Sequence, residues 1–308
     1  MKILVTGGAG YIGSILVPNL LNDGHEVTIY DNFSWGIKPI MHFAGNPNLK
    51  IVTGDIRHKN EISKEINKND AVIHLAAIVG FPACAVEPMR AESTNIEGTS
   101  NIVSSMSKNQ RLIFASTGST YGSVKSIATE QTPIAPLTLY GSTKAESEKI
   151  SMDFGNSIAL RFATVFGISP RLRIDLLVND FTYLAIHKKE IVLFEGDNRR
   201  TFMHVRDAAK SIKFSLDNFD NNKNNTYNVG NKELNLTKKQ VLLFLKNKIN
   251  FYLHEANIAN DPDKRDYEVS YDKIYSSGFN CDVSLDQGVD ELIKVLSHIY
   301  MQNEWRNH

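Results

Sequence analysis

Lys2-Ile3-Leu4-Val5-Thr6-Gly7-Gly8-Ala9-Gly10-Tyr11-Ile12-Gly13 runs an apolar segment straight into a glycine-rich turn. The order predicts a strand ending near Thr6 and a helix opening at Gly13, with Gly7, Gly10 and Gly13 in a G-x-x-G-x-x-G pattern between them. At a phosphate each glycine has a physical task. Gly7 makes the tight turn, and Gly10 lets the backbone approach a pyrophosphate with no Cβ in the way. Gly13 lets the helix sit close on the sheet, its N-terminal dipole facing the anion, while Tyr11 and Ile12 lie between them at the same place. Any tight βα turn has a similar look, so the pattern draws its force from what surrounds it.

The next apolar run, Val27 to Tyr30, ends at Asp31-Asn32, where a dinucleotide fingerprint needs a carboxylate to accept bonds from the adenosine ribose. A charge there repels a 2′-phosphate, so NAD is expected rather than NADP; the alternative is an aspartate that only caps its turn. Gly54-Asp55-Ile56 closes the run Ile51 to Val52, and there Asp55 can meet the adenine edge. Further short runs, Ala71 to Leu75, Leu112 to Ala115 and Ile158 to Phe162, alternate with amphipathic stretches. This predicts βαβ units, hence an α/β Rossmann-type doubly wound parallel sheet with a smaller C-terminal substrate-binding lobe. Met89, Ile96, Ile102, Val103 and Met106 recur at helical spacing and predict a crossover helix. After Gly167 a helical run from Leu176 to Ile186 is expected, and the polar tract from Asp217 to Thr226 reads as a solvated loop. The expected division is residues 1–166 for the dinucleotide-binding domain and 167–308 for the substrate lobe, some of whose segments return to the first domain.

Two Tyr-x-x-x-Lys matches occur, Tyr121 with Lys125 and Tyr140 with Lys144. Gly122-Ser123 interrupts the first, which is assigned to a loop after the fifth strand. Ser142 to Lys149 is a fair helical run, so Tyr140 and Lys144 share a face. A phenol of ordinary pKa near ~10 is a poor base at neutrality, and an adjacent ammonium would favour its ionised form. Ser116-Thr117 follows the fifth strand at the end where open α/β sheets bind ligands, placing Thr117 to hold the hydroxyl that Tyr140 deprotonates.

The chain has 308 residues, long enough to bury roughly three quarters of its unfolded surface. With 34 Lys plus Arg against 34 Asp plus Glu, no global basic field exists to collect nucleic acid or an anionic membrane. No apolar run approaches the ~18 residues of a membrane span, and no leader is expected ahead of the first strand. Two cysteines, Cys84 and Cys281, exclude a disulfide framework and an all-cysteine zinc site, so no metal and a cytoplasmic location are expected.

The order of motifs resembles the extended short-chain dehydrogenase/reductase family that modifies nucleotide sugars. The likeness runs through the glycine loop, Asp31-Asn32, Asp55-Ile56, His74-Leu75-Ala76-Ala77, Asn95, Thr117, Tyr140-x-x-x-Lys144 and Arg200-Thr201-Phe202-Met203-His204-Val205. It implies Thr117, Tyr140 and Lys144 as catalytic residues. NAD would lie against the residues already named together with Leu75, Ala76 and Ala77. Arg200 and Arg265 would grip the substrate diphosphate, and Cys84, Asn95 and Thr164 would join the substrate site, the alternative for Cys84 being a small buried residue. Surface pairing of the arginines with Asp197 or Asp266 is the plainer alternative.

Dehydrating members carry Asp-Glu after the Ser/Thr, whereas this chain has Gly118-Ser119, so a 4,6-dehydratase is not expected. Gly80-Phe81-Pro82-Ala83-Cys84 and the run Arg171 to Phe181 most resemble a subgroup that includes bacterial GDP-manno-heptose 4-dehydrogenases of capsule biosynthesis. That implies NAD-dependent oxidation of a sugar 4-hydroxyl, with a 4-epimerase or a non-catalytic NAD sensor as alternatives. The expected partners are the nucleotide sugar and further copies of the chain, in a homodimer or higher homo-oligomer.

Overall fold

The computed structural model describes residues 1–256, 265–300 and 305–307. Its centre is a seven-stranded parallel sheet built from β1 (Lys2–Thr6), β2 (Glu26–Asp31), β3 (Leu49–Thr53), β4 (Ala71–His74), β5 (Arg111–Thr117), β6 (Ser157–Phe162) and β7 (Asn225–Val229), in the order β7-β6-β5-β4-β1-β2-β3. Ile3 pairs with Val27 on one side and Ala71 on the other, so β1 is central and apolar on both faces. Helices α1 (Gly13–Asn22), α2 (Lys59–Ile66), α3 (Gly98–Ser105) and α4 (Leu139–Asp153) cover its faces and, after α5 (Leu177–His187), which packs in a separate apolar core, so does α6 (Val205–Asp217). This is the doubly wound Rossmann-type sheet that the alternation predicts. The strand order reverses between β1 and β4, and at that switch point the strand ends leave a crevice for a ligand.

Two expectations give way. The stripe from Met89 to Met106 is not one helix: α-helix Pro88–Glu92 passes through a π-turn, Ser93–Glu97, into α3. Met89 is 83% exposed while Ile102 is buried, because the inserted π-turn rotates the faces out of phase. The polar tract from Asp217 is not a plain loop either. Phe219 is buried and anchors a short helix, Phe219–Asn222, and Asn225 and Thr226 already belong to β7. An edge strand next to β6 can carry polar residues that composition alone reads as solvated.

Beyond the sheet, Thr164–Phe166, Arg199–His204 and Asn235–Thr237 form a three-stranded sheet, and a second apolar core gathers Phe166, Ile174, Phe202, Val241 and Leu292. Met203, Ala208 and Ile212 pack instead on the first core with Val5 and Leu16, so the segment carrying α6 and β7 belongs to the main sheet's layers. Among the described residues no helix is long and apolar enough to cross a membrane.

Candidate functional site

A cleft of about 550 Å³ opens along the carboxyl ends of the strands. Gly7, Gly10, Tyr11, Ile12, Asp31, Asn32, Asp55, Ile56, Leu75, Ala76, Ala77, Thr117, Tyr140, Lys144, Thr164 and Arg265 all line it. Gly7 has φ +71°, and a Cβ there would stand 2.7 Å from the Ala76 nitrogen, so only glycine lets the loops after β1 and β4 approach so closely. A Cβ on Gly13 would meet the Gly7 and Gly8 carbonyl oxygens at 2.6 Å, which keeps the start of α1 against the turn. No side chain caps that helix start. The Ser14, Ile15 and Leu16 N–H groups already donate to the Gly10 and Ile12 carbonyls, so it is the positive end of the helix dipole that suits an anion entering from the cleft.

Asp31 ends β2 with one carboxylate oxygen accepting from the Ala9 N–H at 3.0 Å and the other from the Phe33 N–H at 2.8 Å. Burial raises its pKa and those two bonds oppose the shift. The carboxylate is thus tied to both the glycine loop and its own turn, with lone pairs left for hydroxyl donors. Asp55 is held below the usual carboxylate range chiefly by the Arg57 guanidinium, 2.6 Å away. Tyr11, expected only at the cofactor, also donates to the Gly167 carbonyl at 2.6 Å.

Thr138 caps α4 by accepting from the Gly141 N–H, and the helix turns Tyr140, Lys144 and Glu148 to one side. The Thr117 hydroxyl sits beside the Tyr140 phenol, and Ser119 bonds Thr117 at 3.1 Å and accepts from Arg265. Beneath them Glu148 takes a bidentate bond from Arg161, with contacts of 2.6 to 3.1 Å, and another from Ser116 at 2.5 Å. This buried ion pair fixes α4 against β6, and the Ser116 bond ties it to the end of β5. Tyr121 lies in a 3-10 turn, fully buried, accepting from Arg161 at 2.8 Å and donating to Asn228 at 2.6 Å, while Lys125 is in the strand Ser123–Ala128. The first Tyr-x-x-x-Lys match is therefore structural.

The expectation that Lys144 lowers the Tyr140 pKa is not met in this site. Burial pushes the phenol up to about 12, opposed by the Thr117 hydroxyl, Arg173 and Arg265. Lys144, buried with its ammonium 4.0 Å from the Phe114 ring centroid, is itself brought down to about 7 by that burial. A desolvated amine is a weaker cation than the helix spacing alone suggests.

Three expected substrate residues do not line the cleft. Cys84 is fully buried, its thiol directed to the Ile78 carbonyl. Asn95, inside the π-turn, accepts from the Ile78 N–H at 2.8 Å and donates to the Ile78 carbonyl and Thr143, so it braces the loop after β4. Arg200 is 2% exposed and donates to the Arg199 and Arg265 carbonyls, holding the backbone of Arg265 from behind rather than standing at the surface. In their place Arg171, Arg173 and Tyr267 reach the cleft. The sequence offers a signal for the first two, the Arg-x-Arg spacing after Pro170, but nothing in it says that they turn inward.

A glycine loop at the switch point of a parallel sheet, facing a half-buried carboxylate at the end of β2, defines a dinucleotide-binding Rossmann protein. The chain belongs to the NAD dependent epimerase/dehydratase family, whose model matches residues 3–230, so it is an enzyme with NAD as cofactor. A putative UDP-glucose 4-epimerase of Methanocaldococcus jannaschii is 30% identical over 94% of this chain and 97% of its own. UDP-glucuronic acid decarboxylase 4 of Arabidopsis thaliana is 28% identical over 96% of this chain and 68% of its own. Among solved structures, the UDP-glucuronic acid 4-epimerase of Bacillus cereus, in complex with UDP-glucuronic acid and NAD, superposes with a TM-score of 0.84 at 25% identity, covering 97% of this chain and 100% of that one. The residues lining the cleft fit that cofactor: an uncapped helix start for the diphosphate and an anchored carboxylate for the ribose.

Proposed function

We propose that this chain oxidises the 4-hydroxyl of a nucleotide-activated sugar, with Thr117, Tyr140 and Lys144 as its catalytic residues. The observation that carries the reading is the meeting of Thr117 and Tyr140 at one end of the NAD cleft, with Lys144 one helical turn behind. Gly7, Gly10, Tyr11 and Ile12 would hold the cofactor's diphosphate, Asp31 and Asn32 its ribose, Asp55 and Ile56 its adenine, and Leu75 to Ala77, Tyr140 and Lys144 its far end. Bound NAD supplies the hydride acceptor and a positively charged ring.

The protein's own part is proton handling and orientation. Thr117 holds the sugar hydroxyl against the phenol, and Tyr140 in its ionised form takes that proton as the C4 hydride leaves. Burial works against that ionised form, while the Thr117 hydroxyl and the Arg173 and Arg265 cations work in its favour. Thr164 and Arg265 line the substrate side, and Arg200 positions Arg265.

For the substrate we propose GDP-D-glycero-manno-heptose, oxidised to its 4-keto form in capsular or surface polysaccharide synthesis; the loops Gly80 to Cys84 and Arg171 to Phe181 support this. The archaeal relative, a putative UDP-glucose 4-epimerase, favours a second reading in which the keto sugar is reduced again on its other face. Incubation with GDP-, UDP- and dTDP-sugars followed by mass analysis tests both. Loss of two hydrogens supports the dehydrogenase, unchanged mass with altered stereochemistry supports the epimerase, and no conversion of any sugar overturns the proposal.

A further inference from the structure

Trp35 and Arg171 meet across the cleft from distant parts of the chain. Trp35 follows Asp31 in the loop after β2 and is 46% exposed, whereas Arg171 is buried with its guanidinium carbon 4.3 Å from the centroid of the Trp35 ring. Both line the cleft. The segment that bears Arg171 is fastened to the glycine loop: Tyr11 donates to the Gly167 carbonyl, Ser169 donates to the Tyr11 carbonyl at 2.7 Å, and the Ser14 and Ser169 hydroxyls stand 2.9 Å apart. The Leu172 carbonyl and the Asn307 side chain, the latter at 2.7 Å, aim the guanidinium fork.

The charge balance here is uneven. Arg173 takes the one nearby carboxylate, Asp175, in a 2.5 Å pair, and among the described residues no carboxylate bonds Arg171. Burial beside Arg173 brings the Arg171 guanidinium down to about 10. A desolvated cation resting on an aromatic face is only partly compensated, and an anion in the cleft completes the balance.

We propose that Arg171, steadied by Trp35, binds a diphosphate in the cleft from the side opposite the glycine loop, and that this diphosphate is the dinucleotide's. The nucleotide sugar offers the same chemistry; the fastening to Tyr11 and Ser14, and Trp35 on the Asp31 side, place Arg171 by the cofactor. The inference rests on the reading of the cleft as the NAD site.

Calorimetric titration of the unaltered protein, Arg171→Ala, Arg171→Lys and Trp35→Ala, each first stripped of co-purified nucleotide, with NAD and separately with GDP and UDP, tests it. Loss of a fork on a diphosphate should weaken NAD ~10–100-fold in Arg171→Ala, and less in the lysine variant, which keeps the charge. Trp35→Ala should weaken NAD by roughly 3-fold or more through loss of the stacked support. GDP and UDP should bind as before. Unchanged NAD affinity in both alanine variants overturns the proposal, as does weakened GDP or UDP with NAD unaffected, which would give Arg171 to the substrate. Trp35 is exposed, so its variant remains readable if Arg171→Ala fails to fold. Asp31→Ala serves as reference: if it too leaves NAD binding unchanged, the error lies in the reading of the cleft rather than in Arg171.

Discussion

Replacing Tyr140 by Phe removes one oxygen from the cleft and little else. The phenol's hydrogen-bond partner is the Thr117 hydroxyl, which keeps its bond to Ser119, and the Arg161–Glu148 pair that fixes α4 is untouched. Folding stability should therefore move by no more than about 1 kcal/mol, and NAD affinity should stay within roughly threefold. Turnover should fall ~10²–10⁴-fold, about 3–5 kcal/mol in the barrier, because the proton acceptor is gone. Tyr121→Phe is the matched comparison. Its hydroxyl accepts from Arg161 and donates to Asn228 in full burial, so its loss should cost about 1–3 kcal/mol of stability while folded protein turns over near normally. Steady-state rates on a converted nucleotide sugar, with denaturant midpoints for each variant, give both numbers. Near-normal turnover in Tyr140→Phe would refute the assignment, and a large loss in Tyr121→Phe at full folding would move the role to the first Tyr-x-x-x-Lys pair.

Asp31 should make NAD bind more tightly than NADP, and Asp31→Asn should narrow the difference; equal affinities in the unaltered protein would leave Asp31 as a turn residue. Purified protein should carry nucleotide, partly reduced, visible in its absorbance, and reproducibly nucleotide-free protein would count against a cofactor enclosed by the glycine loop and the segment after Gly167. Gly118-Ser119 offers no ionisable side chain, and the acidic residues lining the cleft are Asp31, Asp55 and Glu87, so no sugar should lose water; a product lighter by about 18 mass units without added enzymes would reveal another acid and base. Burial holds the His74 imidazole down to about 3 from its ordinary 6.5, both ring nitrogens lying against the Thr6 and Thr99 hydroxyls. Between those values the unfolded chain binds a proton that the folded one does not, so stability is full above about pH 6.5 and falls as pH drops toward about 3. His74 should cost about 2 kcal/mol between about pH 7.5 and pH 5, and His74→Gln should remove that part of the slope; an unchanged slope contradicts it.

The parts of this site that sequence makes legible are local. The glycine loop, Asp31 and the Tyr140–Lys144 face follow from turn chemistry and from the two periodicities of strand and helix, and each lines the cleft. What escapes is set by distant packing. Arg200 looks like a surface phosphate ligand until the strand Arg199–His204 is seen to bury it under Arg265. Asn95 points into the loop after β4 only because of a π-turn that breaks the helical stripe, and no spacing rule announces such a turn. Phe219 turns a polar tract into an anchored one, and the lowered pKa of Lys144 follows from its burial. Arg171 and Trp35 are far apart in the chain, and their meeting follows from the bonds that hold Gly167 and Ser169 on the glycine loop.

The claim that the chemistry begins with hydride removal from the sugar's C4 is tested most directly with nucleotide sugars deuterated at that carbon. The account predicts that, for the sugar converted, deuterium appears on the enzyme-bound nicotinamide and that Tyr140→Phe suppresses the transfer while retaining bound nucleotide. Conversion of a sugar with all deuterium kept at C4 and none ever reaching the nicotinamide, under single-turnover conditions, would contradict it.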